Sequence, residues 1–139
     1  MEPISLLVDP KGKKGVTAVK ITDILYLSYI SGYRKVAFYT ADATYYFTGS
    51  KEYWTDVLNN SGARFVGVDR TSSVNAEKVA RTEEDPHYAY FEKFRRIGEK
   101  RCWLSKRGHA DLLKEMSMIR EEAKSQFMPV YQYKEGLPS

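Results

Sequence analysis

The 139-residue chain contains one cysteine, two histidines and no long apolar run. A single cysteine, Cys102, excludes an internal disulfide and any zinc site built from several cysteines. A membrane-spanning helix needs about 20 consecutive apolar residues, and no apolar run here approaches that length. The first residues also lack the basic-then-apolar layout of a secretion signal. We therefore expect a cytoplasmic protein of one domain with no membrane partner.

Groups suited to catalysis or metal binding are also sparse. His87 and His109 flank Cys102 at sequence distances that allow no conclusion, and a thiol nucleophile needs a lowered pKa and a paired base. Cys102 lies in an apolar stretch, where a small buried side chain is the better interpretation. The acidic run 83–85 is typical of a solvated loop. We predict no enzymatic activity, no cofactor and no metal.

What the chain does contain is tyrosine and a local excess of positive charge. Aromatic residues make up 14% of the sequence, with 11 tyrosines, and the formal net charge is +4. The excess lies in the middle, because residues 61–110 contain eleven Lys/Arg against seven Asp/Glu. Such an excess favours a polyanionic partner, although many proteins without one share it.

Alternating apolar residues separated by turn signals predict a fold made mainly of antiparallel strands. The predicted strands span residues 4–9, 16–21, 24–30, 36–40, 44–48, 65–68, 87–94 and 102–104. A short helix is predicted from Lys51 to about Asn60, with Ser50 as its N-cap. A longer helix should follow Ser105 and run to about Gln126. An acidic loop is expected over 82–86.

The segment Phe65–Asn75 joins a short apolar strand to a polar turn. Five polar residues follow Val68 without interruption, namely Asp69, Arg70, Thr71, Ser72 and Ser73. Hydroxyls and amides stabilise turns by bonding to neighbouring backbone, and with arginine they also contact phosphates and base edges. The residues alone leave both interpretations open, a self-satisfied turn and a binding loop.

Three polar, basic loops each follow a predicted strand. They are Tyr33-Arg34-Lys35, the run from Arg70 to Asn75, and Ser105-Lys106-Arg107. If the sheets stack, loops from the same end form one face. Arginine can bond guanine in a bidentate fashion and asparagine can do so for adenine, while hydroxyls and lysines contact phosphates. This pattern favours DNA binding.

These stretches, taken together, resemble the LytTR DNA-binding domain family. The segment Phe65–Asn75 resembles the family's strand and polar turn, and Ile21–Leu27 followed by Tyr33–Lys35 resembles its earlier strand and basic hairpin. Cys102–Arg107 resembles the last strand and the loop that opens the final helix. The resemblance covers roughly residues 17 to 116, in the family's order.

The resemblance implies a mostly β fold, α+β by content, in which stacked antiparallel sheets carry one short helix and a longer C-terminal helix. It divides the chain into an N-terminal strand and basic turn (1–16), a LytTR-like DNA-binding domain (17–126) and a C-terminal tail (127–139). It implies a bacterial transcriptional regulator, similar to a response regulator, whose loops enter successive major grooves of double-stranded DNA. Repeated half-sites and a homodimer on DNA are expected. Most family members also carry a receiver or sensor domain, so we expect a stand-alone regulator or an excised C-terminal domain.

Roles follow from the resemblance residue by residue. Arg34 (or Lys35), Arg70 and Arg107 fall where the family places base-reading side chains. The other expected DNA-contacting residues are Tyr33, Thr71, Ser72, Ser73, Asn75 and Lys106. Of these, Thr71, Ser72, Ser73 and Lys106 fall among phosphate contacts, and Asn75 is expected to hold the turn by bonding backbone.

The chain departs from the family pattern in two places. Asp69 occupies the position of a usual histidine, and a carboxylate facing phosphate would repel it. We expect Asp69 to turn inward, as a cap or a salt-bridge partner that orients Arg70. The region 82–101 is longer than the family's usual short hairpin.

The rival interpretation is a protein–protein interaction module. Such a module would present its tyrosines and the C-terminal helix to a partner, since tyrosine-rich patches suit interfaces. The tyrosines are Tyr29, Tyr33, Tyr88 and Tyr90.

Overall fold

The computed structural model of the chain describes the backbone of residues 1–136 and the side-chain surroundings of residues 1–126. The described residues form ten strands and two α-helices, and all paired strands are antiparallel. Five strands precede each helix. The strands are β1 (Ile4–Leu7), β2 (Val16–Val19), β3 (Tyr26–Ile30), β4 (Lys35–Tyr39), β5 (Thr44–Phe47), β6 (Phe65–Gly67), β7 (Ser72–Asn75), β8 (Arg81–Glu83), β9 (Tyr88–Tyr90) and β10 (Arg101–Trp103). The helices are α1 (Lys51–Asn60) and α2 (Lys106–Gly136). The predicted fold class is confirmed.

Seven strands form one sheet in the order β2-β1-β5-β4-β3-β7-β6, with every neighbouring pair antiparallel. The predicted meander corresponds to β3, β4 and β5. Strand β7 is inserted between β3 and β6, so its backbone is hydrogen-bonded on both sides. This insertion brings the middle of the chain next to the first hairpin of the meander.

Helix α1 begins as predicted, because the Ser50 hydroxyl accepts a hydrogen bond from the Tyr53 amide at 3.0 Å. Leu58 is fully buried against the seven-stranded sheet. Trp54 packs edge-on against Phe38, with the ring centroids 5.1 Å apart. Its half-buried ring therefore belongs to the core, as the amphipathic spacing predicts.

A second, smaller core lies between the three-stranded sheet β10-β9-β8 and the start of α2. Its fully buried members include Val74, Ala89, Leu104 and Leu112. Tyr26 joins the two sheets, since its ring stacks on Phe91 of the smaller sheet's hairpin at 5.5 Å.

Several predicted boundaries are wrong. The strand expected over 87–94 spans only Tyr88–Tyr90. The expected acidic loop over 82–86 is shorter, because β8 takes up Arg81–Glu83 and pairs with β9. Helix α2 extends past Gln126 to Gly136, even though Pro129 lies within it and removes one helical hydrogen-bond donor. The predicted tail is therefore helical up to Gly136, and its last residues, 137–139, lie outside the described part of the chain.

Candidate nucleic-acid interface

The strand register brings two of the predicted loops to one end of the large sheet. Ile30, the last residue of β3, pairs with Lys35 across the turn that holds Arg34. On the other side of β3, the Tyr29 amide donates to the Thr71 carbonyl at 2.8 Å. The turn at 31–34 and the turn at 69–71 therefore flank the same end of β3.

The third loop is attached to the second by two hydrogen bonds. Both the backbone amide and the hydroxyl of Ser105 donate to the Val68 carbonyl, at 3.0 and 2.7 Å. Ser105 also caps α2 as predicted, because its hydroxyl accepts from the Gly108 amide at 2.9 Å. We call the loops 31–34, 69–71 and 105–107 together the rim.

Gly108 is what allows α2 to approach so closely. A Cβ atom at this position would lie 1.9 Å from the Val68 carbonyl oxygen and 2.5 Å from its carbon. Such distances are far inside van der Waals contact, so any side chain would push the helix away from β6. The sequence reasoning did not single out Gly108.

The turn between β6 and β7 is built around Asp69. One carboxylate oxygen of Asp69 accepts from the amides of Thr71 and Ser72, at 2.8 and 2.6 Å. The predicted capping role of Asp69 is confirmed, and among the described residues the carboxylate forms no salt bridge. Because its charge is directed at its own backbone, Asp69 fixes the turn that carries Arg70.

The polar turn is shorter than predicted, because β7 starts at Ser72. Ser72 and Ser73 are buried, with 8% and 0% of their surface exposed. Asn75, also buried, donates from its side chain to the Ile24 carbonyl at 2.9 Å and accepts from the Glu77 amide. Asn75 therefore bonds backbone as predicted, but it joins β7 to Ile24 and Glu77 and makes no side-chain hydrogen bond to the turn at 69–71. All three side chains point into the fold of the free protein, and the Ser73 hydroxyl has no partner among the described residues.

The remaining predicted residues do reach the surface. Lys35 is half-buried at the start of β4. The exposed ones are Tyr33, Arg34, Arg70, Thr71, Lys106 and Arg107. Within residues 1–126, none of the four exposed cations in that set forms an ion pair. The rim is therefore a surface with uncompensated positive charge.

Arg34 has an unusual backbone conformation. Its φ of 52° lies in the left-handed region, where glycine is the least strained residue. The hairpin nevertheless places a guanidinium there.

Two further residues lie at the rim that the sequence reasoning missed. Trp103 is 52% exposed and, with Asp69, Arg70, Thr71 and Ser105, lines a groove of about 530 Å³. Lys51, at the first turn of α1, lines a neighbouring groove with Arg70. Side chains of a strand alternate between its two faces. Because Cys102 and Leu104 on either side of Trp103 are buried, the Trp103 side chain lies on the exposed face.

The structure also bears on the residues considered for catalysis, metal binding and protein contact. Cys102 is buried, and burial raises the pKa of its thiol to about 12, with the Asp69 charge adding to the shift. In the described part of the chain, no three His, Cys, Asp or Glu side chains are grouped as metal ligands. No described helix is long and apolar enough to cross a membrane. The proposed tyrosine surface is interrupted, since Tyr90 is buried.

His87 and His109 are in contact, although their spacing allowed no conclusion. Their Nδ1 atoms are 2.7 Å apart, and His109 is 3% exposed. Burial lowers the pKa of His109, His87 lowers it further, and Glu84 opposes the shift. The pair links the turn before β9 to the first turn of α2, directly behind the rim.

Comparison with known proteins agrees with this geometry. Residues 14–117 match the family model of the LytTr DNA-binding domain. A solved structure with a similar fold is the LytTr DNA-binding domain of a Bacillus cereus protein described as a methyl-accepting/DNA response regulator. The two chains are 14% identical, with a TM-score of 0.63, and the match covers 84% of this chain and 97% of the other. No curated protein sequence matches the chain.

Proposed function

The chain belongs to the LytTr DNA-binding domain family, and from this premise we propose that it reads a specific sequence in double-stranded DNA by inserting the rim loops into the major groove. We further propose that it acts in the cytoplasm of a bacterium as a transcriptional regulator. Family membership supports DNA as the partner.

The observation that carries this proposal is the convergence of three loops with unpaired cations on one rim. Turn hydrogen bonds hold the first loop, and bonds between distant segments hold the other two, so the cations are displayed on a hydrogen-bonded frame. DNA binding requires positive charge that is free to approach phosphate and base edges. Arg34 supports the proposal further, since backbone strain of this kind is often found at functional positions.

We assign base reading to Arg34, Arg70 and Arg107, and phosphate contact to Thr71 and Lys106. Arginine is suited to the bidentate contact with guanine O6 and N7. Tyr33 and Lys35 flank the first loop, and Trp103 is placed to contact a thymine methyl group or a sugar beside Arg70. Ser72, Ser73 and Asn75 act indirectly, because their buried side chains shape β7 and the turn before it.

The proposal is tested by selection from a library of random duplexes, using the full chain. We expect enrichment of one sequence class containing guanine, and loss of that enrichment when Arg34, Arg70 and Arg107 are replaced together by alanine. A triple variant that selects the same sequences as wild type would overturn the assignment of base reading to the rim.

The expected half-sites and homodimer are part of the same proposal. Two copies on a repeated sequence would double the number of cations that meet one DNA molecule. Measuring the mass of the complex on duplexes with one and two half-sites tests this. A mass corresponding to one chain on the longer duplex would contradict it.

A further inference from the structure

The loop between β9 and β10 exposes apolar side chains that nothing in the described chain covers. We call residues 91–100 the hairpin loop. At its tip, Ile97 is fully exposed at 100%, and Phe94 is 77% exposed. Single exposed apolar side chains are common on protein surfaces, but two of this size three positions apart on one short segment are a feature of interaction sites.

Hydrogen bonds and ion pairs fix the shape of the hairpin loop. Arg81 forms a bidentate pair with Glu99, at 3.0 and 2.7 Å, and Arg96 forms another with Glu92, at 3.0 and 2.7 Å. The Glu99 carboxylate also accepts from the Arg96 amide at 2.9 Å, and this bond closes the turn that contains Ile97. These bonds stabilise the turn at the tip, and a preformed turn loses less conformational entropy when it binds.

The hairpin loop and its immediate neighbour carry an excess of positive charge. Residues 91–101 contain five Lys/Arg and two Asp/Glu, a net charge of +3. The three basic residues without a carboxylate partner among the described residues are Lys93, Lys100 and Arg101. The Lys93 ammonium lies 5.7 Å from the centre of the Phe94 ring, and Ile97 lines a pocket with Arg95, Arg96 and Arg101. The complementary surface is therefore an apolar pocket bordered by carboxylates.

The hairpin loop lies at the opposite end of the small sheet from the rim. Strand β10 runs from Arg101, where the hairpin loop ends, to Trp103, which lines the groove beside Arg70. Phe91, at the base of the hairpin loop, stacks on Tyr26, which is the residue of β3 farthest from the rim. A DNA molecule seated on the rim leaves the tip free.

We propose that the hairpin loop is a docking surface for a second protein, whose matching surface is an apolar pocket bordered by Asp and Glu side chains. Ile97 and Phe94 enter that pocket, and the surrounding cations meet the carboxylates. Side chains that fill well-packed, desolvated pockets near the centre of an interface contribute most of its binding energy.

A displayed library of random peptides tests the proposal, with the full chain immobilised. We expect enrichment of peptides that combine Asp or Glu with aromatic or aliphatic residues. These peptides should lose about tenfold or more in affinity for the double variant Phe94→Ser/Ile97→Ser, as truncating a dominant contact does. They should bind the Arg70→Ala variant as tightly as wild type.

Two controls keep the outcomes distinct. Both replaced side chains are exposed, so the double variant should unfold at the wild-type temperature. Absence of enrichment, or peptides that bind the double variant equally well, would overturn the proposal. So would a Lys93→Ala/Lys100→Ala variant with weakened DNA affinity, because the loop would then be a DNA contact.

Discussion

The rim and the hairpin loop are both rich in arginine, but they use it differently. In the hairpin loop, Arg96 forms a bidentate pair with Glu92 and Arg95 meets Glu83, and Arg81 beside the loop forms a bidentate pair with Glu99. At the rim, Arg70 and Arg107 meet none among residues 1–126. The same residue type stabilises a loop in one place and remains available to a polyanion in the other.

This difference shows why a local excess of positive charge in the sequence is only weak support for DNA binding. The block 61–110 counts every arginine equally. In the fold, some of these arginines are paired with carboxylates and others are not. The unpaired ones are free to meet phosphate, and the DNA releases counterions when they do. Replacing paired and unpaired cations separately should therefore have different effects on DNA binding.

The largest expected effect is on salt dependence. If the rim meets about six phosphates, DNA affinity should fall on the order of 10³-fold between 50 and 200 mM salt. Lys106→Ala should weaken binding to all sequences alike and reduce the salt slope by about one, since one phosphate contact is lost. Lys93→Ala is the matched control and should leave the slope unchanged. Fluorescence anisotropy over a salt series measures both slopes, and an unchanged slope for Lys106→Ala would exclude it as a phosphate contact.

Sequence choice should depend on Arg70. Arg70→Ala is expected to cost roughly 1–3 kcal/mol of binding free energy on the specific site and much less on unrelated duplexes. Arg96→Ala removes an arginine of the paired set and should leave both affinities unchanged. Competition binding with specific and unrelated duplexes measures the ratio. If Arg70→Ala kept the wild-type ratio of specific to unrelated affinity, the unpaired arginine would contribute no more to sequence choice than the paired one.

The rim should also depend on the close approach of α2 to β6. Gly108→Ala forces a Cβ atom against the Val68 carbonyl and should destabilise the fold by about 1–3 kcal/mol, despite alanine's better helix propensity. DNA affinity should fall with it, because Lys106 and Arg107 move. Gly32→Ala is the control, since nothing lies within 4 Å of a Cβ atom there. Denaturant unfolding measures the difference, and equal stability of the two variants would contradict the role of Gly108.

The smallest effect concerns pH. Because the pKa of His109 is lowered in the folded protein, the unfolded chain binds a proton more readily below the ordinary histidine pKa of about 6.5. The folded protein is therefore most stable above that pH. Its free energy of unfolding falls as the pH drops towards the folded-state pKa of His109. Between pH 7 and 5, the free energy of unfolding should decrease, by no more than about 1.4 kcal/mol per pH unit.

His109→Gln should flatten this pH dependence, since glutamine does not titrate. Urea unfolding at several pH values measures it, with Arg96→Ala as a control that leaves the His pair intact. A slope in His109→Gln equal to that of wild type would show that another group is responsible.

Much of the fold could be predicted because local signals agreed with tertiary structure. Ser50 and Ser105 are hydroxyl residues placed directly before amphipathic helices, and each caps its helix. The Ser31-Gly32 turn between two β runs was enough to place Arg34 at a hairpin.

Other features depend on contacts between distant parts of the chain. Ser72 and Ser73 look like turn residues, but β7 lies between two strands that bury them. Gly108 has meaning only because Val68 lies against it, 40 positions earlier in the chain. The contact between His87 and His109 likewise follows from how β9 and α2 meet, which their spacing does not encode.

Helix α2 is held against the rest of the fold well beyond its first turn. Ser105 fixes its start to Val68, Leu112 is buried, and Arg64 forms ion pairs with Glu115 and Glu122. Arg64 directly precedes β6, the strand that leads into the turn with Arg70. A displacement of the helix that carries Lys106 and Arg107 would therefore be transmitted through these ion pairs to the turn that carries Arg70.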